Sequence, residues 1–272
     1  MMNKNCSNEF GYLSHCIDND KEHKARLDLS NGNCRYKDII TYRDNRVILK
    51  STQRYINASW IHIPNPFYFI ATQGPLLHTT EDFWTMCYDY KVTMIIMLCQ
   101  FKEKNVEKCV DYWNANNLNI FEIKKLGKKE ENGLCTRNFQ IINKFKNSYI
   151  NIIHCQLLCW EDHTALSKGY FNKIIRLIQE IDKNKKGKPV VIHCSAGVGR
   201  TGTFICMYNL YHEIMKQIYY EKNSDEIVFS LFNLVRKMKE MRIYSVENGN
   251  QFALLYDFAN YLLLNFNKKI IK

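Results

Sequence analysis

The chain has 272 residues, 46% hydrophobic and 13% aromatic, which suits a globular protein with a sizeable core and excludes a disordered or collagen-like polypeptide. Its net charge of +11 admits an anionic partner: nucleic acid, a membrane surface or an acidic substrate. The basic residues are spread along the chain, however, and the densest runs, Lys124–Lys129 and Lys183–Lys188, read as solvated faces. Eleven irregularly spaced cysteines, odd in number, do not form a secreted disulfide pattern and fit a reducing compartment. No apolar run reaches the ~18 residues of a membrane-spanning helix. With no signal peptide, myristoylation glycine or prenylation cysteine, a soluble cytoplasmic protein is expected.

Residues 1–32 are polar and weakly periodic, and short, loosely specified helices are expected there. Arg46–Leu49, Tyr55–Ile63 and Tyr68–Thr72 alternate like strands, the last stopped by Gln73-Gly74-Pro75. Thr80–Tyr88 opens with a threonine cap and two acids, a helix start, and Thr93–Leu98 is apolar throughout, as in a fully buried strand. Asn114–Asn151 is strand-like, with a charged turn at Lys128–Gly133, and Tyr149–Leu158 is a strand leading into Trp160-Glu161-Asp162. Phe171–Ile181 is an amphipathic helix. Val190–Ile192 is a short buried strand, and Thr201–Gln217 a helix with Phe204, Ile205, Tyr208, Tyr211, His212 and Met215 on one stripe. Helical patterns over Ile227–Met241 and Phe252–Leu263 close the chain. No repeat, linker or domain break interrupts it. The expected fold is a single α/β (α+β) domain, a twisted mixed sheet flanked by helices.

Between the strand at 190–192 and the helix after it lies Cys194-Ser195-Ala196-Gly197-Val198-Gly199-Arg200-Thr201. A glycine-rich turn that opens a helix points successive N–H groups at one spot and adds the positive end of the helix dipole, which makes an anion site of phosphate size. Cys194 stands at its mouth, where a thiolate is favoured. Arg200 can grip two phosphate oxygens with a planar fork, which lysine cannot. No Gly-Lys-Ser/Thr follows the glycines, so this is not the nucleotide P-loop. A second cluster, His154-Cys155-x3-Cys159-x3-His163, offers zinc-ligand types, but 154 and 155 point to opposite faces of a strand and no C-x2-C pair accompanies them.

His193-Cys194-x5-Arg200-Thr201 resembles the signature of the protein tyrosine phosphatases, and the resemblance extends from about residue 33 to 262. Arg35-Tyr36-Lys37-Asp38 looks like that family's phosphotyrosine-recognition loop. Tyr55–Ser59, Ala71–Pro75, Glu81–Trp84 and Lys108-Cys109-x2-Tyr112-Trp113 match further family motifs. The resemblance implies the tyrosine-phosphatase fold over 33–265 as a catalytic domain, preceded by 1–32. Cys194 would be the nucleophile, and Arg200 with the amides of Ser195, Ala196, Gly197, Val198 and Gly199 would cradle phosphate. Thr201 would support the thiolate, and Tyr36 and Asp38 would bind the substrate ring and backbone. Asp162 would be general acid, then base. It lies 32 residues before Cys194 and so arrives on a separate loop. No metal or cofactor is implied. The partners are phosphotyrosine proteins.

Three positions depart from the family pattern. Glu161 and Thr164 stand where the acid-bearing loop usually has Pro and Gly. Glu247 replaces the first glutamine of the water-positioning loop, whose second, Gln251, is kept. A carboxylate beside a dianionic phosphoryl group is repelled and cannot donate a hydrogen bond. A catalytically impaired protein that binds or traps phosphotyrosine proteins is therefore the alternative. Nucleic-acid binding through the +11 charge has no stacking or groove-reading motif behind it. The Lys-, Asn- and Ile-rich composition also looks like the compact tyrosine phosphatases of polydnaviruses (bracoviruses), which implies substrates in an infected host cell.

Overall fold

Two tetrapeptides, Met94–Met97 and Val190–His193, lack the period-two alternation of a half-exposed strand, and both are buried at every residue. The computed structural model, which describes residues 7–13, 32–63, 68–115, 118–160, 168–220 and 226–266, places them side by side in the middle of one sheet. In chain order the elements are α1 (7–13), β1 (Arg46–Ile48), β2 (Tyr55–His62), β3 (Tyr68–Thr72), α2 (Thr80–Asp89), β4 (Met94–Met97), β5 (Lys102–Glu103) and β6 (Val106–Glu107). Then come β7 (Phe121–Glu131), β8 (Leu134–Asn143), β9 (Ser148–Leu157), α3 (Phe171–Asn184), β10 (Val190–His193), α4 (Gly199–Tyr219), α5 (Leu231–Met241) and α6 (Gly249–Phe266). The eight-stranded sheet runs β1-β2-β3-β10-β4-β9-β8-β7. β10 is parallel to both β3 and β4, and β4 to β9, whereas the outer pairs are antiparallel. The C-terminal end of β10 therefore opens between two buried parallel neighbours, a favoured place for a ligand in an open sheet.

The mixed sheet flanked by helices agrees with the expected fold class. Four local readings are corrected. The single apolar stripe expected on α4 is wrong for its first three turns, because residues 199–210 are buried on all sides. The helix expected from Ile227 begins at Leu231, where the Ser230 side chain accepts the Asn233 N–H at 3.2 Å; capping chemistry overrides the apolar pattern. Lys128–Glu131 belong to β7, and the turn narrows to Asn132 and Gly133, both at positive φ (51° and 76°). Thr80 lies inside α2 and donates to the Leu76 carbonyl, so it is not the cap.

Of residues 1–32, residues 7–13 are helical and dock on α6, with the Tyr256 hydroxyl donating to Glu9 at 2.5 Å and Phe10 beside Phe252. Residues 14–31 lie outside the described residues. Among the described residues no helix is long and apolar enough to cross a membrane.

Candidate active site

β10 ends at His193, and the chain turns back over the sheet through residues 194–198 into α4. Neighbouring strands hold this turn by their backbones: the Leu98 N–H donates to His193 O and the Gly74 N–H to Ser195 O, both at 2.8 Å. Gly197 has φ +71°, and a Cβ there would lie 2.1 Å from the Thr72 carbonyl oxygen, so both backbone and space demand glycine. Its N–H points at the Cys194 Sγ, 3.3 Å away, and Cys194 itself is 3% exposed. The loop carbonyls face the other way, onto Arg242. That guanidinium is fully buried and donates to Gly197 O (2.6 Å), Ala196 O (3.1 Å), Asn57 Oδ1 (2.9 Å) and Ser59 Oγ (3.1 Å). Burial lowers its pKa to about 10, still charged at neutral pH. Clamping the carbonyls on one side leaves the N–H groups on the other, which is the polarity an anion requires.

Arg200 sits in the first turn of α4, buried, with Nη1 donating to Glu103 Oε1 at 2.7 Å and to the Trp160 carbonyl at 2.9 Å. Glu103, on the small β5–β6 hairpin, thus orients the arginine, and Trp160 ties it to the chain that leads into 161–167. Nothing in the sequence singled out Glu103. Thr201 is buried, and its hydroxyl has no hydrogen-bond partner among the described residues. Asp162, together with Glu161, His163 and Thr164, lies outside the described residues.

The rim is built from two loops. Arg35 pins the first: its N–H donates to Gln73 Oε1, and its guanidinium to the carbonyls of Gly74 (3.2 Å) and Pro75 (2.8 Å) and to Glu107. Asn57 reaches the same loop through the Ile39 carbonyl at 2.6 Å. Tyr36 is half-buried and packs with Ala196 against Ile39, Tyr42, Val198 and Ile243, and its hydroxyl is 3.0 Å from Ser195 Oγ. Asp38 is exposed beside it. The second loop carries Glu247 and Gln251 to Gly199. A Cβ on Gly199 would lie 2.8 Å from Glu247 Oε2 and 2.9 Å from Gln251 Nε2, so a larger residue there would displace the ends of both side chains. Gln251 is fully buried; its Oε1 accepts the Glu247 N–H at 2.9 Å, and its Nε2 has no partner among the described residues. Glu247 is exposed, and its carboxylate lies beside Gly199 at the start of α4.

The other cysteine–histidine cluster does not converge. His154 turns toward Tyr112, whereas Cys155 turns to the opposite face, 3.7 Å from the Thr136 hydroxyl. His163 lies outside the described residues. The nine described cysteines are all free, and burial pushes the Cys87 thiol well up and the Cys206 thiol up to about 12, as for inert core thiols.

The model of the family described as "Protein-tyrosine phosphatase" matches residues 30–261. The chain belongs to this family. It is 35% identical over 240 residues to tyrosine-protein phosphatase non-receptor type 20 of Rattus norvegicus, covering 85% of this chain and 54% of that one. It is 32% identical over 251 residues to receptor-type tyrosine-protein phosphatase alpha of Mus musculus, covering 88% of this chain and 29% of that one. The chain spans about half the length of the non-receptor type 20 relatives it matches. Among solved structures, one of PTPN18 that concerns its fingerprint on distinct HER2 tyrosine phosphorylation sites superposes with a TM-score of 0.84 at 26% identity, covering 96% of this chain and 95% of that one. PTPN18 in complex with HER2-pY1196 phospho-peptides superposes with a TM-score of 0.83, also at 26% identity, over 94% and 91%.

Proposed function

We propose that the protein is a protein-tyrosine phosphatase that hydrolyses phosphotyrosine in proteins through a phosphocysteine intermediate. The observation that carries this reading is the Gly197 N–H aimed at the buried Cys194 sulfur, 3.3 Å away, at the mouth of α4. In the first step the Cys194 thiolate forms a bond to phosphorus as the phosphorus–phenol oxygen bond breaks, and Asp162 protonates the departing phenolate. In the second, water attacks phosphorus, Asp162 takes its proton, the phosphorus–sulfur bond breaks, and inorganic phosphate leaves. Arg200 and the amides of residues 195–200 hold the phosphoryl oxygens through both steps. Tyr36 bounds the depth of the pocket against short phosphoserine, Asp38 receives the substrate backbone, Thr201 supports the thiolate, and Gln251 orients the water.

A second reading, a phosphatase-like protein impaired in turnover, is favoured by the Glu247 carboxylate above Gly199, where a phosphoryl dianion would be repelled. Residues 33–265 are the proposed catalytic domain and 1–32 an N-terminal segment. The Lys-, Asn- and Ile-rich composition supports a polydnavirus origin, with phosphotyrosine proteins of the infected host cytoplasm as substrates. Hydrolysis of a small aryl phosphate, with Cys194→Ser as control, tests the reaction. Comparable turnover of phosphoserine and phosphotyrosine peptides would overturn the specificity.

A further inference from the structure

Four side chains from separate stretches of the chain form one hydrogen-bonded row that ends on the backbone of Cys194. The β8–β9 register sets Arg137 opposite His154, and Arg137 Nη1 lies 3.4 Å from His154 Nδ1. His154 Nε2 is 2.8 Å from the Tyr112 hydroxyl, which is 2.9 Å from His193 Nε2. His193 Nδ1 is 3.1 Å from the Cys194 carbonyl oxygen. Both histidines and Tyr112 are 0% exposed.

The capacity of each group dictates the direction of every bond. A guanidinium only donates, so His154 Nδ1 accepts. Burial holds the His154 pKa well below its ordinary value despite a contact of the ring with its own backbone carbonyl, so the ring is neutral; with Nδ1 accepting from Arg137, its one proton is on Nε2, donating to Tyr112. Burial pushes the Tyr112 phenol well up; it keeps its proton and passes it to His193 Nε2. His193, pulled down to about 4 by burial, is neutral as well, and donates from Nδ1 into the Cys194 carbonyl. The reverse order fails at both ends, since Arg137 cannot accept and a carbonyl cannot donate. The other charged or titratable groups that act on the row are Arg35 and Arg200 beside His193, and Cys87, Cys99 and Cys109 around Tyr112.

We propose that Arg137 is a remote positioning residue for Cys194: it sets the tautomers of both histidines, and hence the direction of a row that holds and polarises the Cys194 peptide. The proposal rests on Cys194 being the nucleophile. Each bond in such a row strengthens the next, and donation into the carbonyl draws electron density from the peptide that carries the thiol, favouring thiolate. Arg137 does this without entering the pocket; it is half-buried on β8, its guanidinium 4.6 Å above the Trp113 ring. Without it, His154 Nε2 is free to accept, and it then competes with His193 for the Tyr112 proton.

The test uses the full chain with Arg137→Met, which covers Trp113 but has no donor, and Arg137→Lys, which only donates. Long-range ¹H–¹⁵N NMR of the histidine rings reads the tautomers. Mass spectrometry of Cys194 carboxymethylation by iodoacetate against pH reads the thiolate. Neither needs turnover. The parent should carry the His154 proton on Nε2 and the His193 proton on Nδ1. Arg137→Met should mix tautomers at both rings and raise the pH midpoint of alkylation by about 0.5–1 unit, and Arg137→Lys should restore both. A parent with the His154 proton on Nδ1, or a folded Arg137→Met with parental tautomers and midpoint, would overturn the proposal. If Arg137→Met does not fold, the parent tautomers decide. A parent with the expected tautomers and alkylation that hydrolyses no aryl phosphate would uphold the row and sink the phosphatase reading alone.

Discussion

Arg242 and Glu247 are five residues apart and differ in nearly every physical respect. Arg242 is fully buried under the floor of the pocket, held by four hydrogen bonds to two loop carbonyls and two side chains. Glu247 is exposed on the rim. The same contrast separates Gly197, where no Cβ fits, from Tyr36 and Asp38, which sit at the surface end of the pocket. A buried polar group must find its partners or cost the desolvation energy, so the floor tolerates no change of shape or charge. A rim side chain can change its chemistry at almost constant stability. A departure from the family pattern at the rim, such as Glu247, is therefore expected to act on rate or specificity and to leave the fold alone.

The largest effect should come from the floor. Gly197→Ala should cost at least about 3 kcal/mol, through a positive φ and a collision with the Thr72 carbonyl, and should lower the denaturation midpoint while abolishing phosphate binding. Parental stability in urea titration would erase the distinction between floor and rim. Cys194→Ser separates chemistry from fold. Thermal stability and retention of phosphotyrosine peptides should stay near parental, while hydrolysis falls by at least about 10³-fold. Equal activity would remove Cys194 as nucleophile.

Glu247→Gln should act on one step only. If the carboxylate hinders the attacking water, rapid quench of the parent should show a burst of phenol near one equivalent before a slow steady state. The variant should raise the steady rate about two- to fivefold, the size of one exposed charge–charge interaction, with the burst rate unchanged. No burst, and no change in the variant, would place the hindrance elsewhere.

The smallest effect is expected far from the pocket. Asp182 on α3 anchors the distal half of α4: it accepts from the Tyr208 hydroxyl (2.6 Å) and Lys185 (3.0 Å) and faces His212 Nε2 at 3.0 Å. Burial alone would raise its pKa, but the His212 ring at 3.0 Å and the hydrogen bonds from Tyr208 and Lys185 outweigh that and hold it down at about 2. Its folded value lies below its unfolded one, so its stabilisation is complete above about pH 4 and is lost as pH falls through about 2. Asp182→Asn should lower Tm at pH 6, and the gap to the parent should close toward pH 2. A gap that persists there would assign the effect to packing.

Much of the framework was legible because its signals are local. The centre of the sheet showed as unalternating apolar runs at 93–98 and 190–192, and the turn at 194–199 as glycines between a strand and a helix. The start of α5 was misplaced because Ile227 and Val228 continue an apolar pattern, which the Ser230 cap interrupts. The face of α4 was misread because a helix buried all round has no polar side to reveal its orientation.

Sequence alone determined which residues could make an anion cradle, since thiol, guanidinium and glycines lie within eight positions and their chemistry needs no distant partner to be recognised. Only the tertiary structure decided what holds that cradle in shape. Arg242 reaches Asn57 across 185 positions, Glu103 reaches Arg200 across 97, and Tyr112 reaches His193 across 81. Each of these is a polar side chain whose partner is set by strand order and burial, and neither has a period along the chain from which it could be read.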